Sequence, residues 1–131
     1  VTMSFADDIR RFSVKTEAAH NKIVRAATIE LFSGVIKSTP VDTGRAKGAW
    51  ATSVGSPTND APDRLGEAAS IAEVVAITPP GAGQETYLAN NLPYIERLEN
   101  GRSTQAPAGM VTINMDRVSK IVAAAIEKNR V

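Results

Sequence analysis

The sequence predicts an α+β fold: a long N-terminal helix, a small β-sheet, short middle helices and a C-terminal helix. Three observations lead there. Apolar residues recur at helical spacing in the first and last parts of the chain. Gly- and Pro-rich stretches around 40–44, 56–66, 79–83 and 101–109 cut the middle into short pieces. Thr86, Tyr87 and Leu88 are the best strand formers in the chain, and their run is brief. With 131 residues, inside the roughly 100–200 typical of one domain, residues 1–131 read as a single domain.

Residues 4–38 read as one helix. Ser4 is placed to cap it, and Asp7 and Asp8 fall in its first turn, where carboxylates favour the positive end of the helix dipole. Phe5, Ile9, Phe12, Ala19 and Ile23 make a narrow apolar stripe along the first half. In the second half Val24, Ala27, Leu31 and Val35 form one line and Ile29, Phe32 and Ile36 another, so that half is expected to pack on two sides. Thr39 and Pro40 stop the helix. Val41-Asp42-Thr43-Gly44 reads as a turn, with Gly44 at positive φ. Residues 45–55 are expected to be extended, and 56–66 an exposed loop.

Glu67–Thr78 reads as a helix on the spacing of Ala68, Ile71, Val75 and of Ala72, Ala76, broken by Pro79-Pro80-Gly81-Ala82-Gly83. Glu85–Asn90 is the strand. Asn91 is placed to cap a short helix with Pro93 near its first position, Tyr94, Ile95 and Leu98 facing inward and Gly101 closing it. Arg102–Gly109 is a polar loop. Residues 110–128 alternate briefly at Val111, Ile113 and Met115. The longer 3-and-4 spacing through Val118, Val122 and Ala125 reads as one final helix, with Lys120, Lys128 and Arg130 toward its negative end.

Composition removes several classes. There is no cysteine, which excludes disulfide scaffolds and thiolate metal sites. No apolar run reaches the roughly 18 residues of a membrane span, and no basic-then-apolar leader opens the sequence. A soluble, cytoplasmic single domain is therefore expected. Fifteen Lys and Arg against fourteen Asp and Glu leave a net charge of +1, unlike a free-standing nucleic-acid binder. The 43% hydrophobic content argues against disorder.

Asp42-Thr43-Gly44 is the triplet of aspartic proteases, but that chemistry needs two such carboxylates sharing a proton within apolar strands. Here the triplet follows a helix stop and precedes Arg45, so a turn explains it better. Glu96 and Glu99, at i and i+3, resemble an acid/base pair. Nearby Arg97 and Arg102 favour salt bridges, structural or between subunits, for Glu99. His20 is the only histidine and reads as a solvated helix residue. Gly81-Ala82-Gly83 is too short for a phosphate loop. Arg11, Lys15 and Lys22 fall near one helix face. A solvated helix face explains them best; repeated around a ring, such a stripe would guide DNA through a channel without specificity. No catalytic residue, metal site or cofactor is expected.

Taken together, three segments carry a resemblance. Ser38-Thr39-Pro40-Val41-Asp42-Thr43-Gly44-Arg45 followed by Trp50, Tyr87-Leu88-Ala89-Asn90-Asn91-Leu92-Pro93-Tyr94, and Leu98-Glu99-Asn100-Gly101-Arg102-Ser103 with Gln105-Ala106-Pro107-Ala108-Gly109-Met110 occur in this order. In this the chain resembles the neck and tail-completion proteins of tailed phages, the group of head–tail joining and minor tail protein Z-like proteins. Ile95 departs from it, standing where that family often has a small residue.

The resemblance implies a virion component at the neck or tail, assembled in the host cytoplasm. It implies a self-associating ring, a hexamer matching tail symmetry, that meets a head connector or stopper and the tail tube. It also implies that Asp42, Thr43, Gly44, Arg45 and Trp50 shape the first motif, and that Tyr94, Glu99, Gly101, Gln105 and Pro107 shape the later ones, for fold, interface or both. The 56–66 and 101–109 loops are expected to reach neighbours and to order on assembly. Alternatives are a tail-tip or minor tail protein, a DNA-contacting packaging accessory and, last, a protease dimer built on Asp42.

Overall fold

In the computed structural model, which describes residues 2–3, 17–41, 44–80, 84–100 and 109–128, helix α1 (Glu17–Ser38) carries the largest share of the core. Ile23, Ala27, Leu31 and Val35 form one buried column and Val24, Thr28, Phe32 and Ile36 the next. The two lines expected from the sequence are thus neighbouring columns of one broad face, with Ile29 at its margin. Breadth lets α1 pack on two flanks, as expected. The Arg25 guanidinium reaches the Val75 carbonyl of helix α3 (Ala68–Ile77). Gly34 abuts Asn114 of helix α5 (Met110–Met115). The buried hydroxyl of Thr28 is satisfied by donating to the Val24 carbonyl at 2.7 Å. The part of the expected helix at 4–16, with Ser4, Asp7 and Asp8, lies outside the described residues.

The chain leaves α1 at Thr39 and Pro40, and Gly44 has φ +85°, the left-handed turn expected of it. Residues 45–55 are not extended throughout. A helical turn, α2 (Arg45–Gly48), comes first because the Gly44 carbonyl accepts the Gly48 amide at 3.1 Å. The same carbonyl accepts the Gly66 amide at 2.8 Å, which ties two turns together. Strand β2 (Ala51–Val54) follows.

Strand β3 (Thr86–Ala89) lies within the segment expected and is central in a three-stranded antiparallel sheet, between β2 and strand β1 (Thr2–Met3). Ala51 pairs with Ala89 and Val54 with Thr86. Strand β1 is only Thr2–Met3, pairing with Ala89 and Leu88. Two residues carry no periodicity, so nothing in the sequence announces β1.

Helix α3 packs Ser70 and Val74 inward and leaves Ala72, Val75 and Ala76 exposed. Helix α4 is Ile95–Glu99, with Tyr94 rather than Asn91 at its N-cap and no side-chain cap. Pro93 therefore precedes the helix. Ile95 is buried as expected and Leu98 half-buried, but Tyr94 is exposed.

The expected final helix over 110–128 is two helices, α5 and α6 (Val118–Lys128), separated by a turn at Asp116 and Arg117. Asn114 is the cause: fully buried, it donates its side-chain amide to its own i−4 carbonyl, Met110, at 2.7 Å. The Arg117 amide then bonds the i−3 carbonyl of Asn114, which tightens the turn. Among the described residues no helix is long and apolar enough to cross a membrane.

Gly44 gives the first prediction. A side chain there would adopt the left-handed conformation at about 1–2 kcal/mol and place its Cβ 2.8 Å from the Gly66 nitrogen. Gly44→Val is expected to lower stability by at least that amount in urea unfolding. Unchanged stability would show that the turn relaxes freely.

Candidate functional site

The densest polar construction among the described residues centres on Arg64, a residue that no sequence pattern singles out. Arg64 stands in the unpatterned 56–66 segment, yet its side chain points into the fold. Nε donates to the Gly48 carbonyl at 2.9 Å and Nη2 to the Trp50 carbonyl at 2.7 Å. Nη1 pairs with Glu73 Oε2 at 3.1 Å. A planar guanidinium satisfies three acceptors in a fixed fork, a task lysine cannot perform. The other Glu73 oxygen accepts the Thr52 amide at 2.9 Å. Residues 51, 53 and 55 bond toward β3, so Thr52 presents its backbone outward. Glu73 therefore occupies the open edge of β2. An exposed edge is a template for stray strand pairing, and this one is closed by an ion pair from α3 and the loop.

Trp50 packs behind this edge, fully buried. Its indole N–H donates to Thr39 Oγ at 2.8 Å, and Thr39 donates onward to the Val35 carbonyl at 2.8 Å. The residue that ends α1 is therefore also the polar partner that lets the largest core side chain be buried. Asn90, from the second motif, is fully buried as well; it donates to the Ala46 carbonyl at 2.9 Å and accepts the Leu92 amide at 3.2 Å. Ser70 donates to the Lys47 carbonyl at 2.7 Å. The first two motifs thus meet around α2.

The 56–66 loop, expected to order only on assembly, is already fastened. Besides Arg64, Arg45 donates to the Pro62 and Ala61 carbonyls and lies 3.8 Å from Asp63. Asn91, expected to cap α4, donates instead to the Thr58 and Asp60 carbonyls, each at 2.9 Å. Arg45 and Asn91 thus collect four of the loop's carbonyls, and Arg64 ties the loop to the Gly48 and Trp50 carbonyls.

Among the described residues Glu99 forms no ion pair and serves backbone amides instead; Arg102, one of its expected partners, lies outside them. Its carboxylate accepts the Val111 amide at 2.7 Å and the Thr112 amide at 3.1 Å, and the Thr112 hydroxyl donates to it at 2.6 Å. It caps α5 from the end of α4. The capping position itself is Gly109, which has no side chain to offer. Gly109 has φ +85°, and a Cβ there would overlap the Glu99 carbonyl and lie 2.8 Å from Oε2. The glycine makes room for a borrowed cap.

Of the remaining residues singled out in the sequence, only a few are described. Lys22 is exposed on α1. His20 is half-buried rather than solvated, and its Nε2 is enclosed without a partner among the described residues. Arg11, Lys15, Asp42, Thr43, Gly81, Ala82, Gly83, Gly101, Gln105 and Pro107 lie outside the described residues. Among the described residues no group of three or more His, Asp or Glu is placed to hold a metal.

One open cleft of about 250 Å³ lies between α1 and α6, floored by Ala26, Ile121 and Ala124 and edged by Arg117, Lys120 and Lys128. It falls below the roughly 300–1,000 Å³ of small-molecule sites. No known protein family, curated protein or solved structure matches the chain.

Two predictions follow from these contacts. Arg64→Ala is expected to cost about 2–3 kcal/mol in denaturant unfolding, since charged hydrogen bonds of a partly buried group are lost. Arg64→Lys should recover less than half of it; full recovery would mean that the fork geometry is not used. Glu99→Ala should cost about 1–2 kcal/mol, the scale of a lost helix cap, and expose the Val111 and Thr112 amides to faster hydrogen exchange. Unaltered exchange there would remove Glu99 from the cap.

Proposed function

We propose that this chain is a structural virion protein of a tailed phage or prophage, one that joins head to tail or terminates the tail tube as an oligomeric ring around the DNA channel. The observation that carries the reading is the set of three motifs in order, resembling neck and tail-completion proteins, together with what their described residues do. Gly44, Trp50, Asn90 and Glu99 build framework: a turn, a core anchor, a buried bridge and a helix cap. Residues retained for framework rather than chemistry suit a part whose work is to present surfaces.

In this reading the chain is not an enzyme. It binds copies of itself, a head connector or stopper and the tail tube, with non-specific DNA contact in the channel. Heterologous contacts that close on themselves generate such a ring. A framework fastened before assembly lowers the ordering cost that each docking step must offset.

Negative-stain microscopy of particles made without this gene tests the reading. Filled heads beside separate tails, some of irregular length, are the expected result, restored by supplying the gene in trans. Joined, infectious particles of normal form would overturn it.

A further inference from the structure

The fastened loop presents a residue that the fold does not use. Leu65 is 68% exposed, beside Arg64, which points inward. Asp63, two residues before it, is 95% exposed in its side chain, and Glu67, two residues after, is 41% exposed. Asp63 lies 3.8 Å from Arg45 through Oδ1 and Glu67 3.5 Å from Lys47 through Oε1, and the second oxygen of each meets no described residue. The leucine is therefore a knob on a rigid loop with two carboxylate oxygens left to offer a partner. Its backbone is held by the Arg64, Arg45 and Asn91 contacts and by the bond from Gly66 to Gly44.

The cleft between α1 and α6 has the complementary character. Its floor is small and apolar, and its rim carries Arg117, Lys120 and Lys128 against the single acid Glu30. Lys120 and Lys128 make no ion pair with any described residue, and Arg117 approaches Glu30 only to 4.0 Å. The volume suits one or two side chains rather than a metabolite. Knob and cleft cannot meet within one subunit. Arg25 marks the flank of α1 that faces α3, whereas Ala26, Glu30 and Gly34 lie roughly 100–180° further round at 3.6 residues per turn.

We infer that the occupant of this cleft is Leu65 of a second copy of the chain, with Asp63 and Glu67 of that copy against Lys120 and Lys128. Each subunit then offers a knob on one flank and a cleft on the other, so the contact repeats from copy to copy. The inference supplies a specific interface for the ring proposed above and takes its biological meaning from that reading. Its charges add orientation and salt dependence to an apolar contact.

Sedimentation of the purified chain and two variants tests it. Wild type is expected to assemble with rising concentration, less so in high salt. Leu65→Asp and the double variant Lys120→Glu/Lys128→Glu alter exposed side chains, so each should keep the wild-type melting temperature. Each alone should weaken assembly at least about tenfold. Mixed, they retain one intact knob and one intact cleft between them and should form a 1:1 pair that grows no further.

Wild-type assemblies unchanged by either variant would overturn the interface while leaving a ring in place, so the neck reading would stand. A wild type that stays monomeric at every concentration reached would also overturn the interface, and the neck reading would then rest on the particle experiment alone.

Discussion

Everything around β2 depends on a single constraint: the backbone from Gly48 to Thr52 must be satisfied on its outer side, and Arg64 and Glu73 do it together. Between them they engage the Gly48 and Trp50 carbonyls and the Thr52 amide. Without them, the outer edge of the strand and the C-terminal end of α2 would present unpaired groups beside a fully buried tryptophan, where unmet polar groups are costly. The pair also joins three pieces that are remote in sequence, the loop, the strand and α3. The ion pair thereby fastens the loop that carries Leu65 at its C-terminal end, alongside the Arg45 and Asn91 contacts.

The same economy recurs at the other end of the fold. Asn114 ends one helix by taking an intrahelical carbonyl, and Glu99 starts that helix by capping it from outside. Short helices such as α4 and α5 have little stability of their own. Polar side chains close the ends of α5, and Ile95 and Met110 carry α4 and α5 into the common core. Motif residues in such positions act on the fold first. In the proposed assembly, their effect would pass through the surfaces that they place.

Those surfaces are of two kinds. The outer face of α3 is apolar and uncharged at Ala72, Val75 and Ala76. The knob and the cleft, by contrast, carry opposite charge beside apolar centres. A contact of that second kind selects partner and orientation as well as contributing affinity. Modest surfaces repeated around a ring gain from closure, because the last contact forms within an assembly already held together.

The sequence alone determined the fold class, the helix from Glu17 to Ser38, the strand at Thr86–Ala89 and the positive φ of Gly44. Each is written in local terms, as a period, a propensity or a steric demand. It did not reveal β1, the break at Asp116 and Arg117, the exposure of Tyr94, or the tasks of Arg64, Glu73 and Glu99. Those are decided by partners far along the chain: the Trp50 carbonyl for Arg64, the Val111 amide for Glu99, Ser38 and Met110 for Asn114. A polar side chain in an unpatterned loop has no period to announce its partner. Only the packed structure brings together the donor and acceptor that burial obliges to pair.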